Sequence, residues 1–308
     1  MRTVNAASAA SEPRKPAFDK ANLALRVGSA LVFCLFFFTL LYFGEQAWAK
    51  LTWLLALSAA LVLGVREMVL IARKGGNQPS VIAASITGLG LLLHFYLMTE
   101  ASDPLPLWLV LVLGGAVIHF GALLFRKDPL DHALSSQAIT WMSALYLGLG
   151  LGFMQKLFMF NETTLANSNT GARLILALFL IVWLGDTCAY FVGSAFGKHK
   201  LAPKVSPKKS WEGAFGNFLG NLIGAFIVRA WICTQWSVVD AIAIALLLGT
   251  VGQLGDLVES TWKRSAGVKD SNLGVGIPGH GGILDRLDSL VFAAPALYAY
   301  VHYVHGLN

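Results

Sequence analysis

The residues able to do chemistry in this chain are concentrated between positions 183 and 288, and the densest group lies at 252–288. Asp256 and Glu259 close one apolar run at a spacing of three, and Ser260, Lys263 and Arg264 follow. Lys269-Asp270 opens a glycine-rich loop ending in Pro278-Gly279-His280-Gly281-Gly282, and Asp285-Arg286-Leu287-Asp288 begins the last apolar run. On a helix Asp285 and Asp288 share a face. Two carboxylates beside Arg and Lys suit a magnesium ion carrying a polyphosphate. A salt-bridged interfacial cluster would also alternate acids and bases. Glycines on both sides of His280 favour the first account, because they let backbone approach a ligand closely.

Two earlier segments carry weaker signals. Asp186 is the sole charge between Arg173 and Lys198, about 12 residues from each, or roughly 18 Å along a helix. A lone acid at such depth costs several kcal/mol unless it faces a partner or a wet cavity. It is either a hydrogen-bonded packing residue or a metal or proton site. Pro207-Lys208-Lys209-Ser210 sits directly before an apolar run. Inner-leaflet lysines attracted to anionic headgroups would explain basic charge there. A hydroxyl, two lysines and free helix-start N–H groups would instead form an anion site.

The elements that must position these groups are membrane helices. Hydrophobic residues make up 56% of the 308 residues and charged ones 13%, about half the charge of a soluble domain. That excludes a disordered chain and an ordinary cytosolic enzyme. Apolar runs fall at 27–43, 51–65, 79–98, 104–125, 133–155, 174–197, 213–228, 241–255 and 289–304, with 51–65 and 241–255 borrowing flanking residues. The fold class is therefore all-α, a polytopic membrane protein of about nine transmembrane helices. A polar tail at 1–26 precedes a scaffold at 27–170 and a catalytic region at 171–308. The first five spans are nearly featureless. With the N-terminus cytoplasmic and the C-terminus outside, Lys50, Lys156, Arg173 and Arg229 alone face away from the cytoplasm, leaving 19 of the 23 basic residues inside. That distribution, with no aromatic-interleaved basic face, points to the lipid bilayer and not to nucleic acid. Cys34, Cys188 and Cys233 have no paired spacing and read as small buried apolar residues.

These motifs together resemble the phosphatidate cytidylyltransferase (CDP-diglyceride synthase) family. The likeness is carried by Ser260, Lys263-Arg264, Lys269-Asp270, Pro278-Gly279-His280-Gly281-Gly282 and Asp285-Arg286-Leu287-Asp288. It extends to Gly185-Asp186-Thr187 with Ala189-Tyr190, to Ser206-Pro207-Lys208-Lys209-Ser210-Trp211-Glu212-Gly213, and to Gly252 with Gly255-Asp256-Leu257-Val258-Glu259. Detail covers about 180–290; elsewhere the likeness is one of hydropathy. Nine residues separate Asp270 from His280 here, where the family pattern has seven. The extra length falls in 271–276, and a glycine-bearing insertion can bulge without moving its flanks.

The resemblance implies that CTP and phosphatidic acid give CDP-diacylglycerol and pyrophosphate, in a multi-pass enzyme of the cell inner (plasma) membrane. It implies magnesium, with potassium also implicated, and a homodimer. Both reactants are anions, so metal and lysines must cancel their repulsion and stabilise the leaving pyrophosphate. Asp256, Asp285 and Asp288 are then metal ligands, with Asp186 a further candidate. Lys208, Lys209, Lys263, Arg264 and Lys269 hold phosphates, with Ser210, Ser260 and Arg286 also in the substrate site. His280 touches phosphate or assists a proton. A transporter would spread its acids along a path through the membrane. A CDP-alcohol phosphotransferase would show Asp-Gly, Ala-Arg and further aspartates on consecutive turns, a pattern this chain lacks.

Overall fold

The computed structural model describes residues 20–97, 107–125, 131–160, 169–271 and 281–305. Within them lie nine helices and one small hairpin: α1 (Lys20–Tyr42), α2 (Ala47–Lys74), α3 (Val81–Leu97), α4 (Leu107–Leu123), α5 (Ala133–Phe158), α6 (Thr170–Phe196), β1 (Lys200–Ala202), β2 (Ser206–Ser210), α7 (Trp211–Trp231), α8 (Val238–Ser265) and α9 (Leu284–His305). Among the described residues, each of the nine apolar runs coincides in its main part with a separate helix. Among the described residues α2, α6 and α8 are long and apolar enough to cross a membrane, by length and composition.

The two short runs do borrow flanks. α2 continues past Arg66 until Arg73 and Lys74, whose charges complement the helix C-terminus, and stops at Gly75. α8 begins with a capping box in which the Ser237 hydroxyl and the Asp240 carboxylate satisfy each other's backbone N–H, worth about 1 kcal/mol. It then runs through Asp256 and Glu259 to Ser265, so these acids sit on the helix and not beyond it.

The all-α reading holds, with one local addition to the helices. The lysine-rich segment 198–210 folds as an antiparallel hairpin with Lys200 opposite Ser210 and Ala202 opposite Ser206. Pro203 and Pro207 remove helix donors there, while an edge position tolerates proline. A correction concerns Cys34, which is exposed on α1; Cys188 is half-buried and Cys233 buried.

The centre of the bundle is filled by side chains such as Leu61, Leu147, Leu151, Leu178, Ile181 and Leu297, all fully buried. Its outside carries Leu31, Leu35, Ile82, Val117, Phe191 and Val239, which a lipid solvent accepts and water would not. Between membrane helices, packing contacts replace the hydrophobic effect as the driving force, and small residues let backbones approach. Gly216, Gly220 and Gly224 recur every fourth residue on α7. A β-carbon at Gly220 would lie 2.5 Å from the Leu184 carbonyl oxygen, and one at Gly216 would lie 2.6 Å from Val192 Cβ. α8 and α9 meet the same way: a β-carbon at Gly255 would collide with the Asp288 carbonyl oxygen.

Candidate active site

Five elements converge around the acids. Lys209, on β2, places its Nζ 2.5 Å from Asp256 Oδ2 on α8. Ser260, one turn further along α8, donates to Asp256 Oδ1 at 3.3 Å. Asp186 on α6 accepts from Asn217 Nδ2 on α7 at 3.2 Å. Gln253 of α8 donates to Asn217 Oδ1 at 2.9 Å, and Asn221 donates to the same oxygen at 2.6 Å. The glycine seam of α7 makes this possible, since it brings the amides against the α6 backbone. Asp288, on α9, takes the backbone N–H of Ser289 at 2.7 Å. Asp186, Asp256 and Asp288 lie within one another's electrostatic field, with Lys209 beside the first two and Lys263 nearest the third.

A second cluster adjoins the first. Lys263 is buried and bridges Glu259 Oε2 at 2.5 Å and Asp285 Oδ1 at 2.6 Å. Glu259 is fully buried, and Lys263 is the cation that compensates it. Asp285 Oδ2 accepts from the Ser271 hydroxyl at 2.8 Å and the Ser271 N–H at 3.3 Å. Both Asp285 oxygens thus hold protein partners.

The remaining candidates separate. Successive strand residues point to opposite faces, so the two lysines do not act as a pair: Lys209 reaches Asp256 while Lys208 is exposed. The Ser210 hydroxyl caps α7 by accepting from Gly213 N at 3.1 Å. Arg264 donates to the carbonyls of Val205 at 3.2 Å and Val268 at 2.8 Å, fastening the hairpin to the end of α8. Lys269 and Arg286 are exposed. His280 and most of its loop, 272–280, lie outside the described residues. Glu212 closes the hairpin from below, accepting from the N–H of Lys198 and the His199 ring. Its own backbone N–H, the His199 ring and these amides bring its carboxyl down to about 2.

Sequence reasoning missed Glu67. It lies in the half read as featureless, yet it is fully buried and accepts from Ile283 N and Leu284 N, each at 2.9 Å, and from Ser271 Oγ at 3.0 Å. Beside Arg66 it looks like half of an ordinary interfacial pair, so its type and neighbours carry no warning. Asn217 and Asn221 had a readable signal: two amides four apart on the glycine face of one apolar helix.

Among the described residues no three His, Cys, Asp or Glu side chains form a ready metal cage. Magnesium does not require one, since it commonly rests on one or two carboxylates, waters and substrate phosphates. Three mutually repelling carboxylates fit such a cation, and Asp186 remains accessible. Asp288 would hold it with Asp256 or Asp186. Asp285 joins only by releasing Lys263 or Ser271.

The model of the cytidylyltransferase family matches residues 24–304. A phosphatidate cytidylyltransferase of Haemophilus influenzae is 35% identical over 298 residues, 89% of this chain and 94% of that protein. One from Staphylococcus epidermidis is 44% identical and one from Staphylococcus aureus 45%, each over 160 residues, 52% of this chain. In those two alignments the chain spans 57% of the relative's length.

Proposed function

The chain belongs to the cytidylyltransferase family, and on that premise we propose that it is a multi-pass membrane enzyme joining CTP to phosphatidic acid. The products are CDP-diacylglycerol and pyrophosphate. A phosphate oxygen of the lipid attacks the α-phosphorus of CTP, and the bond from that phosphorus to the oxygen bridging it to the β-phosphate breaks. Pyrophosphate carries away the electron pair. No covalent enzyme intermediate is needed.

One observation carries this reading: Lys209 meets Asp256 in the field of Asp186 and Asp288. A lysine and an excess of carboxylates are the complementary halves that a metal-bound triphosphate would engage. Magnesium, when bound, would screen the phosphates and stabilise charge on the leaving group. Potassium is a second cation in the same proposal. The protein's own work is to hold Asp256 through Lys209 and Ser260, to hold Asp186 through the α7 amides, and to present Lys208, Lys209 and Lys269 to phosphate oxygens. Lys263, Arg264 and Arg286 are the further cationic candidates, the first two after exchanging their present partners. The Ser210 hydroxyl supports the site by capping α7. His280 is proposed to contact phosphate or move a proton. We further propose nine spans, an N-terminus inside, a homodimer, and placement in the plasma membrane.

The test is direct. Purified protein with labelled CTP, phosphatidic acid and magnesium should yield one labelled lipid and an equal amount of pyrophosphate. A chelator should stop the reaction and added magnesium restore it. Substrate-dependent flux into proteoliposomes without labelled lipid would instead indicate transport.

A further inference from the structure

Glu67 brings together three features that the reaction chemistry does not itself demand. It is a fully buried carboxylate on α2. Its two oxygens each take one of two consecutive backbone N–H groups, Ile283 on Oε1 and Leu284 on Oε2, both at 2.9 Å. These N–H groups stand at the start of α9, where a helix has no internal acceptor for them. A carboxylate there also meets the positive end of the helix dipole.

The third feature links this clamp to the acids. Ser271 Oγ lies 3.0 Å from Glu67 Oε2 and 2.8 Å from Asp285 Oδ2. A serine hydroxyl has one proton, so it donates to one carboxylate at a time. Asp285 is held from its other side by Lys263, itself paired with Glu259. A continuous row thus runs Glu259, Lys263, Asp285, Ser271, Glu67, across α8, α9 and α2. Space is reserved for it as well: a β-carbon at Gly282 would collide with Ser271 Oγ and lie 2.8 Å from Glu67 Oε2.

We propose that Glu67 is a positioning residue for nucleotidyl transfer, one that sets the start of α9, and through Ser271 the carboxylate of Asp285, from the opposite half of the chain. This rests on the cytidylyltransferase reading. Glu67 touches no reacting atom in this account. It acts on where Asp285 and Asp288 stand, so it governs the chemical step and not the hold on CTP.

The variants are Glu67→Gln, Ser271→Ala and the double variant, each full length and purified in lipid nanodiscs, with rates normalised to folded protein. Glutamine keeps the shape but offers one acceptor oxygen for two amides. Glu67→Gln should lower kcat at least tenfold with KM for CTP within about twofold, and amide exchange at 283–284 should quicken. Ser271→Ala, which leaves both α9 amides bonded, should lower kcat severalfold. The double variant should be no slower than Glu67→Gln alone, because both changes cut one row. Unchanged kcat per folded Glu67→Gln enzyme, or losses that multiply in the double variant, would overturn the proposal. If the unaltered protein makes no cytidylyl lipid, the parent reading fails instead. Exchange at 283–284 then decides the clamp by itself: unchanged exchange in Glu67→Gln rejects it.

Discussion

At the scale of single residues, equal charges are expected to have unequal effects. Lys209→Gln removes the cation that holds Asp256, so turnover per CTP should fall at least tenfold, a loss of about 1.4 kcal/mol. Lys198→Gln removes the same charge from the same hairpin and should stay within about twofold. Steady-state rates of the two folded variants make the comparison, and bulk electrostatics cancels in it. Equal losses would reduce the hairpin to a basic surface. Asp288→Asn is expected to abolish activity at saturating magnesium while leaving the protein inserted, since a ligand lost from a metal site costs several kcal/mol of transition-state stabilisation. Near-normal turnover would sink that metal assignment. Most of these residues were legible because acids, lysines and glycines are rare in an apolar chain. Their pairings were not. Whether Lys208 or Lys209 meets Asp256 depends on strand alternation, and nothing in Pro207-Lys208-Lys209-Ser210 announces a strand.

At the scale of elements, close approach of helices is what aligns the acids. The β-carbon of Gly255→Ala would strike the Asp288 carbonyl oxygen, so α9 must move, and overpacking of this kind typically costs about 1–3 kcal/mol. Activity should drop further than thermal stability does, because the displaced backbone carries Asp288 itself. Gly114→Ala is the control: nothing lies within 4 Å of its β-carbon, and alanine favours a helix over glycine by about 1 kcal/mol. Its melting temperature and turnover should match or exceed those of the unaltered protein. Helix positions were readable from apolar runs, since bilayer thickness sets their length. Which helices touch was not, because that information lies in side-chain size at a handful of glycines. The Gly216, Gly220, Gly224 series is the exception, and its four-residue spacing could have been used.

At the scale of the molecule, charge distribution gives a test independent of chemistry. A cysteine introduced within 199–206 should react with an impermeant reagent only from the cytoplasmic side, and one at 306–308 only from outside. Labelling of both from one side would mean an even number of crossings. The front half, read as nearly featureless, nonetheless supplies the buried Glu67 that is bonded to the start of α9. Local sequence cannot reveal that residue 67 bonds residues 283 and 284.

That distance in the chain has a temporal meaning. Glu67 and the amides it accepts are separated by 216 and 217 residues, which a ribosome takes about 10–40 s to make at 5–20 residues per second. Throughout that interval the carboxylate has been delivered without the amides that will hold it. A chain cut short before Ile283 would never find them, and an uncompensated buried charge is strongly destabilising. Pairing of Glu67 therefore waits on synthesis of the start of α9. In growing cells, chains truncated at 282 should be cleared by membrane proteases faster than full-length ones, and Glu67→Leu should lengthen the life of the truncated chain while shortening that of the complete one.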